Sequence, residues 1–149
     1  NGIYIEKTYC SNPIEYNDYI IDKINLIDDA WGTVLDCKES KKAITDTKYL
    51  KTLTDKILKS FKKLKGYDGE SEFKKSAVNY TTHMNKVSKK ELPEFMKIIT
   101  TDAILTEKGA ARSEELIPIL DGVRENLFAL FEKEQEVFAT KNNFKIEGK

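Results

Sequence analysis

The sequence predicts an all-α, up-down-up-down four-helix bundle with a short N-terminal arm and a third helix that Pro93 kinks or breaks. Two observations predict this class. Apolar residues in four long segments recur at alternating steps of four and three residues, the spacing of helices that pack against helices. The length of 149 residues also matches one domain, which we place at residues 13–149 after an arm at 1–12.

The first predicted helix covers about residues 13–37. Asn12 and Pro13 form a start signal, because an N-cap residue precedes a proline at the first helical position. The apolar face of this helix contains Ile20, Ile24, Ile27, Trp31 and Val34. The second predicted helix covers about residues 46–65 after a polar connector at 38–45, for which a partly helical form is the alternative. Its apolar face contains Leu50, Leu53, Ile57, Phe61 and Leu64.

The third predicted helix follows a glycine-containing turn, and Ser71 can cap it. The apolar face of this helix contains Phe73, Ala77, Tyr80, Met84 and Val87. A proline inside a helix removes a hydrogen bond and clashes with the preceding turn. We therefore expect Pro93 to kink or break the helix between Ser88 and Glu94, with a second piece at about 94–105.

The last predicted helix covers about residues 110–142, with a possible kink at Pro118. Its predicted core positions follow the heptad spacing at Leu116, Leu120, Val123, Leu127, Leu130, Glu134 and Val137. Glu134 is the one carboxylate in this series. A single polar group in a bundle core more often sets the register or marks a wet end than performs catalysis.

The overall composition excludes several classes of protein. Basic and acidic side chains number 25 each, so the zero net charge argues against a nucleic-acid partner. No run of 18 apolar residues exists, so nothing in this chain is expected to span a membrane. Cys10 and Cys37 are expected to be free or half-buried thiols, because the first helix separates its ends by about 36 Å. A disulfide would require the arm to fold back along that helix.

Charge is divided unevenly between the first two predicted helices. Residues 1–36 contain seven acids and two lysines, whereas residues 38–65 contain ten lysines and three acids. The favoured interpretation is that these are solvated faces whose opposite signs steer the two helices together. The alternative is a basic stripe that meets an acidic surface or anionic lipid.

The pattern of possible metal ligands does not fit the metal sites typical of helical bundles. Di-iron bundles use two Glu-x-x-His motifs, but His83 is the only histidine and position 80 is tyrosine. We therefore predict no metal, no cofactor and no catalytic residues. An enzyme that uses Glu134 is the least favoured alternative.

Two sets of side chains are candidates for binding. An inter-helix pocket for a small ligand is expected near Trp31, Phe61, Phe131 and Glu134. A contact patch for a partner is a candidate at the N-terminal end, because tyrosine is enriched at interfaces. This patch would contain Tyr4, Tyr9, Tyr16 and Tyr19. The favoured interpretation is that these tyrosines cover the end of the bundle.

Two segments suggest a family. The stretch from Phe131 to Phe144, together with Tyr16-Asn-Asp-Tyr-Ile20, resembles a group of uncharacterised bacterial surface or lipid-anchored helical-bundle proteins. The resemblance implies an extracytoplasmic domain tethered by an anchor upstream of Asn1, with Cys10 not the lipidated cysteine. The chain starts with Asn1 rather than methionine, so we expect a removed signal segment or a trimmed start. The family has no established activity and implies no site residues.

The preferred hypothesis is therefore an extracytoplasmic helical-bundle surface protein that binds a partner rather than catalyses a reaction. Its partner would be a protein or a small ligand, and its membrane association would come only from the upstream anchor. A small-ligand-binding bundle is the first alternative.

Overall fold

The structure, a computed structural model, describes residues 6–148 and is all-α over that range. The predicted extended stretch around Ile3 and Ile5 lies outside the described residues. The helices are α1 (Pro13–Leu35), α2 (Ser40–Lys63), α3 (Glu72–Lys89), α4 (Glu91–Ile99), α5 (Glu107–Ile117) and α6 (Val123–Lys141). The all-α class is confirmed.

The first helix begins where the sequence predicts. The Asn12 side chain accepts a 2.8 Å hydrogen bond from the Glu15 backbone N–H, and Pro13 occupies the first turn. This cap satisfies one of the backbone donors left open at a helix start. All five predicted core residues of this helix are buried. The start signal and the apolar spacing of α1 are therefore confirmed.

The second helix begins six residues earlier than predicted. The segment read as a connector forms the first turns of α2 because Ala43 and Thr47 pack inward. The Thr47 hydroxyl satisfies its hydrogen-bonding capacity by donating to the Ala43 carbonyl at 2.7 Å. This largely polar segment thus contributes two buried side chains, Ala43 and Thr47, which are small enough to pack against the core. The predicted core residues of α2 are all buried.

The predicted break near Pro93 occurs at Lys90, which separates α3 from α4. Pro93 itself lies in the first turn of α4, where its missing N–H costs no helical hydrogen bond. The second piece is shorter than expected, because α4 ends at Ile99. A 3-10 turn at Asp102–Leu105 follows, and the Thr101 hydroxyl caps it.

The last two helices form one continuous rod. A π-helical turn, Pro118–Gly122, joins α5 to α6, and the Val123 N–H donates to the Pro118 carbonyl five residues earlier. The rod and the separate α4 make five helical rods in the described part of the chain. The four-helix bundle is therefore not confirmed, whereas the division of the third predicted helix agrees with the expected break.

The directions of neighbouring helices follow from paired side chains. Asn85 of α3 donates to the Thr54 hydroxyl of α2 at 2.9 Å, and the Lys74 ammonium reaches the Leu64 carbonyl. Since the α2 residue number rises as the α3 number falls, these helices are antiparallel. Aromatic contacts show the same relation between α3 and α6, where Phe73 meets Phe138 and Tyr80 meets Phe128.

The arm folds against the ends of α1 and α2. The Lys7 N–H donates to the Tyr19 phenol oxygen at 3.2 Å, and the Lys65 N–H donates to the Thr8 carbonyl at 2.7 Å. Cys10, within this arm, is buried, whereas Cys37 lies half-buried at the opposite end of α1. Both cysteines are free thiols, so the alternative of a disulfide between them is absent from this structure.

Candidate interaction site on the last helix

The π turn changes which side of the last helix faces the core. Leu116 and Leu120, which precede or lie within the turn, are buried as predicted. A π turn holds one more residue than an α turn, so every later position rotates by about 100°. The residues that face inward after the turn are therefore each one place later than the heptad predicts.

The inner stripe of the last helix is the resulting core-facing set. It retains the alternating steps of four and three and consists of Arg124, Phe128, Phe131, Gln135 and Phe138. The predicted set becomes an outer stripe in which Val123, Leu130 and Val137 are 43%, 51% and 54% exposed. Leu127 and Glu134 are half-buried at its inner edge. The prediction of Val123, Leu130, Glu134 and Val137 as core positions is therefore wrong.

The outer stripe contains an exposed apolar ridge, which we define as Val123, Leu130 and Val137. These side chains are seven residues apart and align along one side of α6. Single exposed apolar side chains are common on protein surfaces, but an aligned series on one helix is typical of a surface that packs against another helix. The ridge is therefore a candidate docking surface.

A shallow groove of about 130 Å³ runs between α3 and α6 beside the ridge. Leu127, Leu130 and Glu134 line one wall, and α3 supplies the other. The α3 wall consists of Glu72, Lys75, Ser76 and Asn79. The groove thus combines an apolar wall with charged side chains of both signs. This combination suits a side chain from a partner helix more than it suits a fully apolar ligand.

The structure separates the predicted pocket residues. Trp31, Phe61 and Phe131 are buried in the hydrophobic core, where Phe131 stacks on Phe73 with ring centroids 5.4 Å apart. Glu134 instead lines the groove, one residue away from the inward-facing Gln135. The four candidates therefore do not converge on one cavity wall.

The predicted tyrosine patch is also divided. Tyr9 is exposed, whereas Tyr16 and Tyr19 are buried, and Tyr4 lies outside the described residues. Tyr16 donates a 2.7 Å hydrogen bond to Glu70, and its burial raises the pKa of the phenol well above the usual value. Tyr16 and Tyr19 therefore act as core residues at this end of the molecule.

A half-buried polar cluster lies at the edge of the core next to the start of α6. Arg124 Nη1 donates to the Tyr80 phenol oxygen at 3.3 Å and lies 3.9 Å from Asp28 Oδ1. The guanidinium also lies over the Trp31 ring, 5.4 Å from its centroid. Tyr80 in turn donates to Asp28. The cluster joins α1, α3 and α6 in one place.

The electrostatics of this cluster are consistent with a structural role. Burial raises the pKa of the Asp28 carboxyl, and the bond from Tyr80 and the charge of Arg124 oppose that rise. Burial and the neighbouring Asp28 raise the pKa of Tyr80. Within residues 6–148, every buried side-chain nitrogen and oxygen has a hydrogen-bond partner. The cluster therefore holds α6 in register, because its charged and polar groups satisfy one another.

Sequence reasoning missed Arg124 and Gln135 as inward-facing residues. Gln135 donates a 2.8 Å hydrogen bond to Asn17 of α1, and both side chains are buried. One signal for the true register was present in the sequence. Three phenylalanines, at positions 128, 131 and 138, share the inner stripe, and phenylalanine buries more apolar area than the valines of the outer stripe.

The described residues contain no cluster that fits a metal ion. No group of three histidine, cysteine, aspartate or glutamate side chains converges between residues 6 and 148. His83 lies half-buried with Nε2 3.5 Å from the Leu120 carbonyl oxygen, and burial lowers its pKa. His83 therefore belongs to the packing around the π turn.

Comparisons with known proteins return no relative. The chain matches no family model, no curated protein and no solved structure. Over residues 6–148, none of the helices has both the length and the apolar character that crossing a bilayer requires.

Proposed function

We propose that this chain is an extracytoplasmic helical-bundle domain that docks a helix of a partner protein along the apolar ridge of α6. The observation that carries the proposal is the exposure of Val123, Leu130 and Val137 at heptad spacing. An apolar heptad series on a helix surface is the pattern by which one helix recognises another. The domain would act through this surface rather than through a reaction.

The proposed architecture is an up-down-up-down bundle made by α1, α2, α3 and α6, with α4 and α5 as an insertion. The antiparallel contacts of α3 with α2 and α6 support this arrangement. The contact of Asn17 with Gln135 and that of Asp28 with Arg124 support an antiparallel α1 and α6. In such a bundle the ridge would lie on an outer side, where a fifth helix could pack.

At this groove, size favours a side chain of a protein partner over a small ligand, although a larger pocket of about 520 Å³ lies between α1 and the segment around Phe144. Pockets for small molecules usually measure about 300–1,000 Å³, which exceeds the roughly 130 Å³ of this groove. One side chain of a partner helix would fit beside Leu127 and Leu130. Charged groups at the rim, Glu134 and Lys75, would then fix the direction and register of that helix.

The proposed location rests on the resemblance of two segments to bacterial surface proteins. Its test is the expression of the complete gene product in its source cells, followed by treatment of intact cells or spheroplasts with protease. Degradation of the domain before lysis supports a location outside the cytoplasm. Protection until lysis, alongside a cytoplasmic marker, would contradict it.

The docking surface is tested by a photo-reactive benzophenone amino acid at position 130. We expect irradiation of source cells to link this variant to one protein species, because the group would lie within the interface. The matched control carries the same group at Ala129, which is exposed on a different side of α6. The second variant, Leu130→Glu, should lose binding to the identified partner without loss of stability. Equal linking from both positions, or none from position 130, would refute the proposal.

A further inference from the structure

The outer face of α1 is acidic from Asp18 to the end of the helix. Asp18, Asp22 and Asp29 are exposed on this face, Asp36 continues it just after the helix ends, and no lysine or arginine interrupts them. Asn25 and Thr33 fill the positions between them. We call this set the acidic face.

The outer face of α2 is cationic and equally regular. Lys41, Lys48 and Lys59 are exposed along one line of the helix, with Lys56 and Lys63 beside it. We call the first three residues the cationic face. Three other lysine ion pairs of α2 join Lys42, Lys51 and Lys63 to Asp46, Asp55 and Glu6, respectively. The sequence favoured solvated faces over a basic stripe, and three exposed lysines lie on the outermost line of α2.

The two faces do not neutralise each other within the molecule. In the part of the chain that the structure describes, no salt bridge joins α1 to α2. Both faces point away from the core, as their exposure requires. Like charges four to seven residues apart on a helix repel one another, so each face favours an oppositely charged surface.

The spacing of the two faces is complementary. Three pairs of an aspartate and a lysine have residue numbers that add up to the same value. These pairs are Asp36 with Lys41, Asp29 with Lys48, and Asp18 with Lys59. In an antiparallel pair of helices with 1.5 Å of rise per residue, a constant sum means that all three pairs are matched in a single register. A shift by one turn would leave at most one of the three lysines, Lys59, opposite an aspartate of the acidic face. In the matched register the fourth aspartate, Asp22, lies opposite Asp55, whose charge is paired with Lys51 on its own helix.

We propose that the chain pairs with a second copy of itself, with the acidic face of each copy lying on the cationic face of the other. A two-fold axis parallel to α1 and α2 places α1 of one copy antiparallel to α2 of its partner at the same height. The contact then occurs twice, which closes the assembly as a dimer. This inference is independent of the apolar ridge on α6.

The association should be weak and sensitive to salt. Exposed ion pairs contribute little individually, and they are screened over about 8 Å at physiological ionic strength. We expect sedimentation at 20 mM sodium chloride to show a concentration-dependent dimer. The dissociation constant should rise about tenfold or more at 500 mM sodium chloride, where screening is much stronger.

Two reversed variants test the pairing of the faces. One carries Lys41→Glu, Lys48→Glu and Lys59→Glu, and the other carries Asp18→Lys, Asp29→Lys and Asp36→Lys. Each variant alone has two faces of one sign, so each should sediment as a monomer at low salt. Their equimolar mixture should form a heterodimer, because one variant is acidic on both faces and the other is cationic on both.

The control replaces three exposed lysines elsewhere, Lys86→Glu, Lys97→Glu and Lys141→Glu, with the same change in net charge. It should retain the dimer, as should the ridge variant Leu130→Glu. The wild-type chain as a monomer at low salt would overturn the proposal. A mixture that remains monomeric while both variants unfold cooperatively would also overturn it. Loss of the dimer in the control would show that the change in net charge alone prevents dimerisation, and it would overturn the proposed pairing of the two faces.

Discussion

The inner and outer stripes of α6 have nearly the same spacing but opposite environments. Phe131 is buried, whereas Leu130, one residue earlier, is 51% exposed. Gln135 is likewise buried against Asn17, whereas Glu134 lines a surface groove. The comparison teaches that heptad spacing predicts a helix that packs but does not identify which of two adjacent stripes packs. The π turn at Pro118–Gly122, upstream of both stripes, determines which of them faces the core.

The inner stripe is favoured by both packing and electrostatics. Its phenylalanines contact aromatic rings on other helices, such as Phe73 and Tyr80. At the edge of the core, Arg124 contacts a carboxylate, a phenol and an indole ring. The other register would bury Glu134, and a buried carboxylate without a cationic partner is costly.

The largest expected effect comes from removing Ala129, which lies between the π turn and most of the inner stripe. The deletion would place Glu132 and Glu136 at the buried positions of Phe131 and Gln135. Lost aromatic packing and buried carboxylates together should cost more than about 5 kcal/mol, so cooperative unfolding should disappear. Far-UV circular dichroism during urea titration measures this.

Deletion of Ile119 is the matched control, because it removes the additional residue of the π turn itself. The turn can then become α-helical while the inner stripe keeps facing inward. We expect a cost of about 2 kcal/mol or less. Equal stability of the two deletion variants would show that the register of α6 is not locked.

A smaller difference is expected between alanine substitutions at neighbouring positions. Phe131→Ala should lower the free energy of unfolding by about 3–5 kcal/mol, because it removes a fully buried ring and leaves a cavity. Leu130→Ala should change it by about 0.5 kcal/mol or less, because the side chain is half exposed. Urea unfolding monitored by Trp31 fluorescence measures both. Similar losses at the two positions would place Leu130 in the core.

The smallest expected change in the free energy of unfolding comes from substitutions at the neighbouring residues Gln135 and Glu134, and it depends on pH. Gln135→Glu should cost about 1–3 kcal/mol at pH 7, because it buries a carboxylate and removes the amide that donates to Asn17. Burial raises the pKa of that carboxyl in the folded state, so the cost should grow as pH rises through that pKa and shrink below it. Urea unfolding at about pH 4.5 and pH 8 measures this trend.

Glu134→Gln is the control, and we expect a change of about 0.5 kcal/mol or less at either pH because the residue lines a surface groove. A larger effect at Glu134 than at Gln135 would reverse the assignment of the two stripes.

Much of the fold follows from signals that act over one or two turns. The Asn12 cap, the apolar face of α1 and the break before Pro93 depend on neighbouring residues, and each was predicted. The candidate site was less predictable. Glu134 stands in the apolar series that the spacing predicts as core, but its exposure depends on a turn more than ten residues earlier. The charged faces of α1 and α2 were recognised only as uneven charge.

The sequence by itself determined that this chain forms helices, and it determined most of their ends, because caps, prolines and apolar spacing act locally. The tertiary structure decided which face of each helix is buried. That choice depends on partners far away in sequence, such as the Asp28, Tyr80 and Arg124 cluster that joins three helices. The free energy of burying a side chain depends on what it meets, and one additional residue at Pro118–Gly122 changed what every later side chain of α6 meets.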